Sequence, residues 1–163
     1  MADKDATGEA AYYEAVSDWL AKMLQSNFTN YHLEITAHGN FSGTLKVQIP
    51  KQRDIIFSFL REASPDITGF VFRDRVRNFI VVEVKSKAAK LDDIYQTKKY
   101  ADLFNARYAL LISMKLIPEE LRRLSNVAPH LLTLPEHGRL TLVELHFGGG
   151  STSAWFSDDP FPK

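Results

Sequence analysis

Two opposite charges close an apolar run at Phe79-Ile80-Val81-Val82-Glu83-Val84-Lys85. A run this rich in Val, Ile and Phe is the signature of a strand buried on both faces. Side chains alternate along a strand, so Glu83 and Lys85 point to the same side as Val81. A charge placed near a core is costly unless it has partners. A second carboxylate, Asp66, follows Pro65 at the start of the preceding β-rich run, where a hairpin pairing brings it beside Glu83. Two carboxylates converging on one spot repel each other, and a hard divalent cation such as Mg2+ (or Mn2+) removes the repulsion by accepting oxygen ligands from both. Such a cation polarises a scissile phosphate and activates water. The Lys85 ammonium would then orient the attacking water or offset charge developing on the phosphate.

The elements that must position these residues follow from periodicity. Tyr12, Tyr13, Val16, Trp19, Leu20, Met23 and Leu24 recur at helical spacing and predict an amphipathic helix over residues 7–25, with Thr7 as its N-cap. Residues 31–37 alternate like a strand, His38-Gly39-Asn40 reads as a turn, and residues 44–49 read as a second short strand before Pro50. Residues 54–60 form an apolar run too short for periodicity to decide between strand and helix. Residues 67–72 and 78–85 are two β-rich runs joined by a charged stretch, which predicts an antiparallel hairpin. Residues 91–104 return to helical spacing, residues 107–113 read as a strand, and Pro118 opens a short helix with Glu119 and Glu120 in its first turn. Residues 131–134 and 140–147 read as closing strands. The order predicts an α/β fold, a mixed sheet flanked by helices.

Pro65-Asp66, a spacer and Glu83-Val84-Lys85 together resemble the PD-(D/E)XK nuclease superfamily. Gln96-Thr97-Lys98-Lys99-Tyr100, in the helix after the Glu-x-Lys strand, is similar to the Q-x-x-x-Y element of that superfamily's RecB-like exonuclease branch. The resemblance runs from about residue 7 to residue 113 and implies a restriction-endonuclease-like αβββαβ core. It further implies a Mg-dependent deoxyribonuclease with Asp66 and Glu83 as metal ligands, Lys85 as the catalytic ammonium, and Gln96 and Tyr100 binding substrate from one helix face. Members often add an acidic residue from the first helix. Glu9 and Glu14 compete for that role here, and Glu9, amid the apolar stripe of Tyr13, Val16 and Leu20, is preferred over Glu14 on the opposite face. The alternative is a nuclease-fold module that no longer cuts and binds nucleic acid or a protein partner.

The remaining sequence sets bounds. At 163 residues the chain suits one domain with a full hydrophobic core, and 45% hydrophobic with 25% charged residues is ordinary globular composition. No run approaches the apolar length of a membrane span and residues 1–10 have no signal-peptide core, so a cytoplasmic protein is expected. The absence of cysteine excludes disulfides, thiolate catalysis and cysteine-ligated zinc. The five histidines (His32, His38, His130, His137 and His146) show no metal-binding spacing. With 20 basic and 20 acidic side chains no global positive field attracts nucleic acid, so any DNA contact must be local. Gly148-Gly149-Gly150-Ser151 reads as a linker that divides a nuclease-like domain, residues 1–147, from a tail, residues 148–163. Trp155, Phe156 and Phe161 in that tail flank Ser157-Asp158-Asp159-Pro160, loosely similar to the acidic tips of bacterial single-stranded-DNA-binding proteins, although this chain continues through Pro162-Lys163. The tail is expected to pack on its own domain or on a second subunit, to be dispensable for catalysis, and to serve association as a homodimer or with a protein partner.

Overall fold

The computed structural model describes residues 8–147, 151–155 and 159–162. A six-stranded mixed sheet has its strands in chain order. Strands β1 (Asn30–Ile35), β2 (Ile67–Arg73) and β3 (Val76–Lys85) form an antiparallel meander. Next come β4 (Tyr108–Ser113) and β5 (Arg139–Phe147), each parallel to the strand before it, and β6 (Ser151–Trp155), antiparallel to β5. Helix α1 (Tyr13–Asn27) precedes the meander and helix α4 (Leu91–Phe104) links β3 to β4. The α/β class and the mixed sheet flanked by helices are therefore as expected.

Period-two alternation along the central strands creates two cores. Ile80, Val82 and Val84 of β3, with Leu110 and Ile112 of β4, pack with Val16, Leu20 and Leu24 of α1. Phe79 and Val81 of β3, with Ala109 and Leu111 of β4, pack with Ile94, Tyr100, Ala101 and Phe104 of α4. A central strand covered by helices on both faces must be apolar almost throughout, which explains the composition of residues 79–85. The β2–β3 connection turns at Asp74 and Arg75, both at positive φ (51° and 66°), the geometry of a two-residue turn whose twist matches the strands.

Two segments, residues 44–49 and 131–134, depart from the sequence reading, and a third, residues 54–60, which periodicity left open between strand and helix, is helical. Residues 44–49 are no strand. Ser42 caps a single helical turn, α2 (Gly43–Lys46), by accepting a hydrogen bond from the Leu45 amide at 3.1 Å, and this local cap prevails over the weak alternation. Residues 54–60 contain another single turn, α3 (Ile56–Phe59). Residues 131–134 are not a closing strand either. Pro129 opens a 3-10 turn over Pro129–Leu132, and Thr133 makes an isolated bridge to Arg139; a proline fixes φ and withholds the donor that a ladder needs. Helix α5 (Glu119–Val127) follows Pro118 as expected. Glycines 148–150, residues 156–158 with Phe156 and Asp158, and Thr7 lie outside the described residues, so the 3-10 turn Glu9–Tyr12 starts the described chain after Gly8, whose φ of 79° suits glycine.

Of the two packing sites expected for the tail aromatics, Phe161 takes the chain's own core. It is buried, with its ring 6.0 Å from Phe28 and 5.1 Å from Tyr108. Phe161→Ala is expected to destabilise the fold by about 3–5 kcal/mol, the range for truncating a core phenylalanine, read as a shifted urea midpoint. An unchanged midpoint would mean that the tail does not pack there. Among the described residues no helix is long and apolar enough to cross a membrane.

Candidate functional site

The acidic residues gather at the carboxyl end of β3. Continuing the register of Ile67 with Val82 by one residue sets Asp66 opposite Glu83, and the Asp66 amide donates to the Val82 carbonyl at 3.0 Å. Asp66 and Glu83 are both buried. The Asp66 carboxylate is clamped, with Oδ1 accepting from the Tyr13 hydroxyl at 3.0 Å and Oδ2 accepting from the Val84 amide at 2.7 Å. Lys85, two residues beyond Glu83 and on the same side, places Nζ 3.9 Å from Glu83 Oε2. The same ammonium lies 3.8 Å from Glu9 Oε1 and 3.4 Å from Asp93 Oδ1. Glu9 is buried in the 3-10 turn before α1, whereas Glu14 is exposed. The starts of α1 and α4, on opposite faces of the sheet, thus both send a carboxylate to the strand end where Lys85 emerges.

Asp93 was not among the residues singled out from the sequence. Its place in the first turn of α4 reads as ordinary capping, and Oδ2 does accept from the Lys90 amide at 2.8 Å. The available signal was its spacing, three residues before Gln96 and seven before Tyr100, which puts all three on one helix face. Gln96 is half-buried and donates from Nε2 to the Tyr100 hydroxyl at 3.0 Å. Tyr100 is fully buried in the core beneath α4, so the structure brings the pair together with the phenol turned inward. Tyr13, read from the sequence as a member of the apolar stripe, also serves the site through its hydroxyl. Two histidines pair elsewhere on the sheet, His32 with Glu34 on β1 at 2.7 Å and His146 with Glu144 on β5 at 3.7 Å.

The electrostatics follow from burial. Burial and the adjoining Asp66 carboxylate push the Tyr13 phenol well above its ordinary range, so it stays protonated and acts as a donor. Burial disfavours the charged form of Lys85, but the carboxylates of Glu83, Asp93, Glu9 and Asp66 outweigh it and hold the ammonium above its ordinary value. Four carboxylates around one ammonium leave an excess of negative charge in a largely desolvated place. Tyr13→Phe removes a hydrogen bond to a charged acceptor at constant packing and is expected to cost about 1.5–3 kcal/mol, measured by chemical denaturation. A loss near zero would show that the hydroxyl does not hold Asp66.

Among the described residues no group of three or more His, Cys, Asp and Glu side chains is arranged to hold a metal ion. The donor chemistry nevertheless suits a hard cation. Mg2+ is commonly held by one or two carboxylates and completes its shell with water and phosphate oxygens. A carboxylate offers about four acceptor positions, and Asp66 and Glu83 face the same strand end.

No family model, curated protein or solved structure matches the chain. Its functional reading therefore rests on the chemistry of this cluster.

Proposed function

We propose that the chain is a metal-dependent nuclease of PD-(D/E)XK type that hydrolyses phosphodiester bonds in DNA. The observation that carries the reading is the gathering of the Glu9, Glu83 and Asp93 carboxylates around the Lys85 ammonium at the carboxyl end of β3, strand ends being where open α/β sheets bind ligands. In this reading Asp66 and Glu83 hold Mg2+ or Mn2+, with Asp66 oriented by Tyr13 and Val84. Mg2+ or Mn2+, when bound, supplies Lewis-acid stabilisation of charge on the phosphate and lowers the pKa of water. Lys85 directs its ammonium at the attacking water or the developing negative charge, and Asp93 and Glu9 fix where that ammonium stands. Glu9 is also available as an extra ligand or base. Gln96, braced by Tyr100, presents its amide to the substrate backbone.

Labelled single-stranded, duplex and branched DNA incubated with the protein in Mg2+ and Mn2+ tests the reading. Cleavage that disappears with chelator supports it. A second reading, a nuclease-fold module that binds nucleic acid or a protein partner without cutting, is favoured by the lack of a three-ligand group among the described residues and by the pairing of Lys85 with Glu9, Glu83 and Asp93. Retention of DNA without cleavage on every substrate and metal would select it. Cytoplasmic location, a homodimer and a protein partner for the tail belong to the same proposal, and size-exclusion chromatography of the protein alone and in lysate tests the last two.

A further inference from the structure

We propose that a cavity at the amino-terminal ends of β3 and β4 is a binding site for a phosphate group, held by Arg53, Arg77 and Arg107. The cavity has a volume of about 250 Å3, and these three arginines reach it from separate segments, the 3-10 turn Lys51–Arg53, the start of β3 and the residue before β4. Phe79 and Phe104 line it as well, and Glu136 is the acidic residue in its wall. Two of the arginines are oriented by neutral partners. Arg53 donates from Nη2 to the Leu103 carbonyl at 2.7 Å, and Arg77 lays its guanidinium carbon 4.8 Å from the Phe79 ring centre while Nη1 reaches Gln48 Oε1 at 3.5 Å. None of the three forms an ion pair with a carboxylate among the described residues. Arg77 Nε is buried and makes no hydrogen bond.

Three guanidinium groups held around one small space repel each other, and a buried charged donor lacking an acceptor is costly. An anion with several oxygens removes both penalties. Phosphate matches best, because its oxygens accept the paired N–H groups of a guanidinium fork and its double charge answers the surplus of cations. The space accommodates inorganic phosphate or the phosphate end of a mononucleotide, with the phenylalanines as an apolar wall for what the phosphate carries. Arg77 and Glu83 stand six positions apart on β3, roughly 20 Å at strand rise; the site shares no residue with the acidic cluster and does not depend on the nuclease reading.

Calorimetric titration of the full chain at low ionic strength with inorganic phosphate and with a nucleoside 5′-monophosphate, alongside amide chemical-shift mapping, tests this assignment. At least one of the two ligands is expected to bind at a single site, with the largest shifts around Asn78, Asn105 and Arg107. Tighter binding of the monophosphate assigns the site to a nucleotide, and equal binding assigns it to free phosphate. Arg107→Gln, at an exposed side chain, and Arg77→Lys, which keeps the charge but loses the fork, are each expected to weaken binding about tenfold. Absence of binding by both ligands at millimolar concentration overturns the proposal. So does binding undiminished in Arg107→Gln with its melting temperature unchanged, or a shift pattern centred elsewhere.

Discussion

Glu83→Gln is expected to abolish metal-dependent DNA cleavage while raising the melting temperature of the metal-free protein. Glu83 is buried among three other carboxylates, and the Lys85 ammonium beside it is shared with Glu9 and Asp93. Removing one negative charge relieves like-charge repulsion in a place where water screens it poorly. In the wild type the same relief should come from the cation. A ligand bound by the folded state alone stabilises it by about 2.7 kcal/mol at a hundredfold excess over its dissociation constant, so Mg2+ should raise the wild-type melting temperature and leave Glu83→Gln unmoved.

Asp66→Asn should lose cleavage equally but without the gain in stability, because its carboxylate is engaged by two donors. The asparagine carbonyl can accept from the Val84 amide while its NH2 donates to the Tyr13 hydroxyl, which is able to serve as acceptor. Asp66→Ala strands both of those partners, at about 1–3 kcal/mol for each buried group left unsatisfied. Scanning fluorimetry with and without Mg2+, paired with the cleavage assay, separates the three variants. A wild type that neither shifts with Mg2+ or Mn2+ nor cuts DNA would sink the active-nuclease reading, as would a Glu83→Gln variant that cuts normally.

What was legible in the sequence depended on how locally each feature is encoded. The α4 and β3 boundaries are nearly as read, because long periodic runs bounded by polar residues leave few alternatives. The Asp66–Glu83 juxtaposition was readable too, since a hairpin fixes the register between its strands and one residue of slip would turn Glu83 to the other face. Residues 44–49 were misread because one serine cap outweighs a few alternating side chains, and residues 131–134 because a proline fits a turn better than a ladder. Asp93 was missed for a different reason. Its link to Lys85 is a contact between the first turn of a helix and a strand end, and its spacing from Gln96 and Tyr100 gives a shared helix face but not that contact. The inward turn of the Tyr100 hydroxyl was equally hidden, since a four-residue spacing gives the helix face but not its depth.

Lys85→Met is expected to destabilise the metal-free protein by about 3 kcal/mol, the lower end of the range for breaking a buried ion pair. The lower end applies because 19% of the side chain remains accessible. Without the ammonium, Glu9, Glu83 and Asp93 lose their common counter-charge, and methionine restores the packing of the stem but not the charge. The pH dependence has a definite sign. The folded state holds the Lys85 ammonium above its ordinary value near 10.5, so its stabilisation is fully present below that value. It fades as pH rises through the higher folded value. The wild-type advantage over Lys85→Met should therefore be constant from neutral pH to about pH 10 and shrink above it. Mg2+ should rescue much of the lost stability, since the cation takes over neutralisation of the acids. On the proposed nuclease reading, cleavage should remain depressed by orders of magnitude, because a metal ion would not replace an ammonium acting at the attacking water. Denaturation midpoints across that pH range, with and without Mg2+, provide the measurement. A Lys85→Met protein as stable as the wild type at pH 7 would show that the four carboxylates are not held together by this ammonium, and full cleavage by the variant would remove Lys85 from the chemistry.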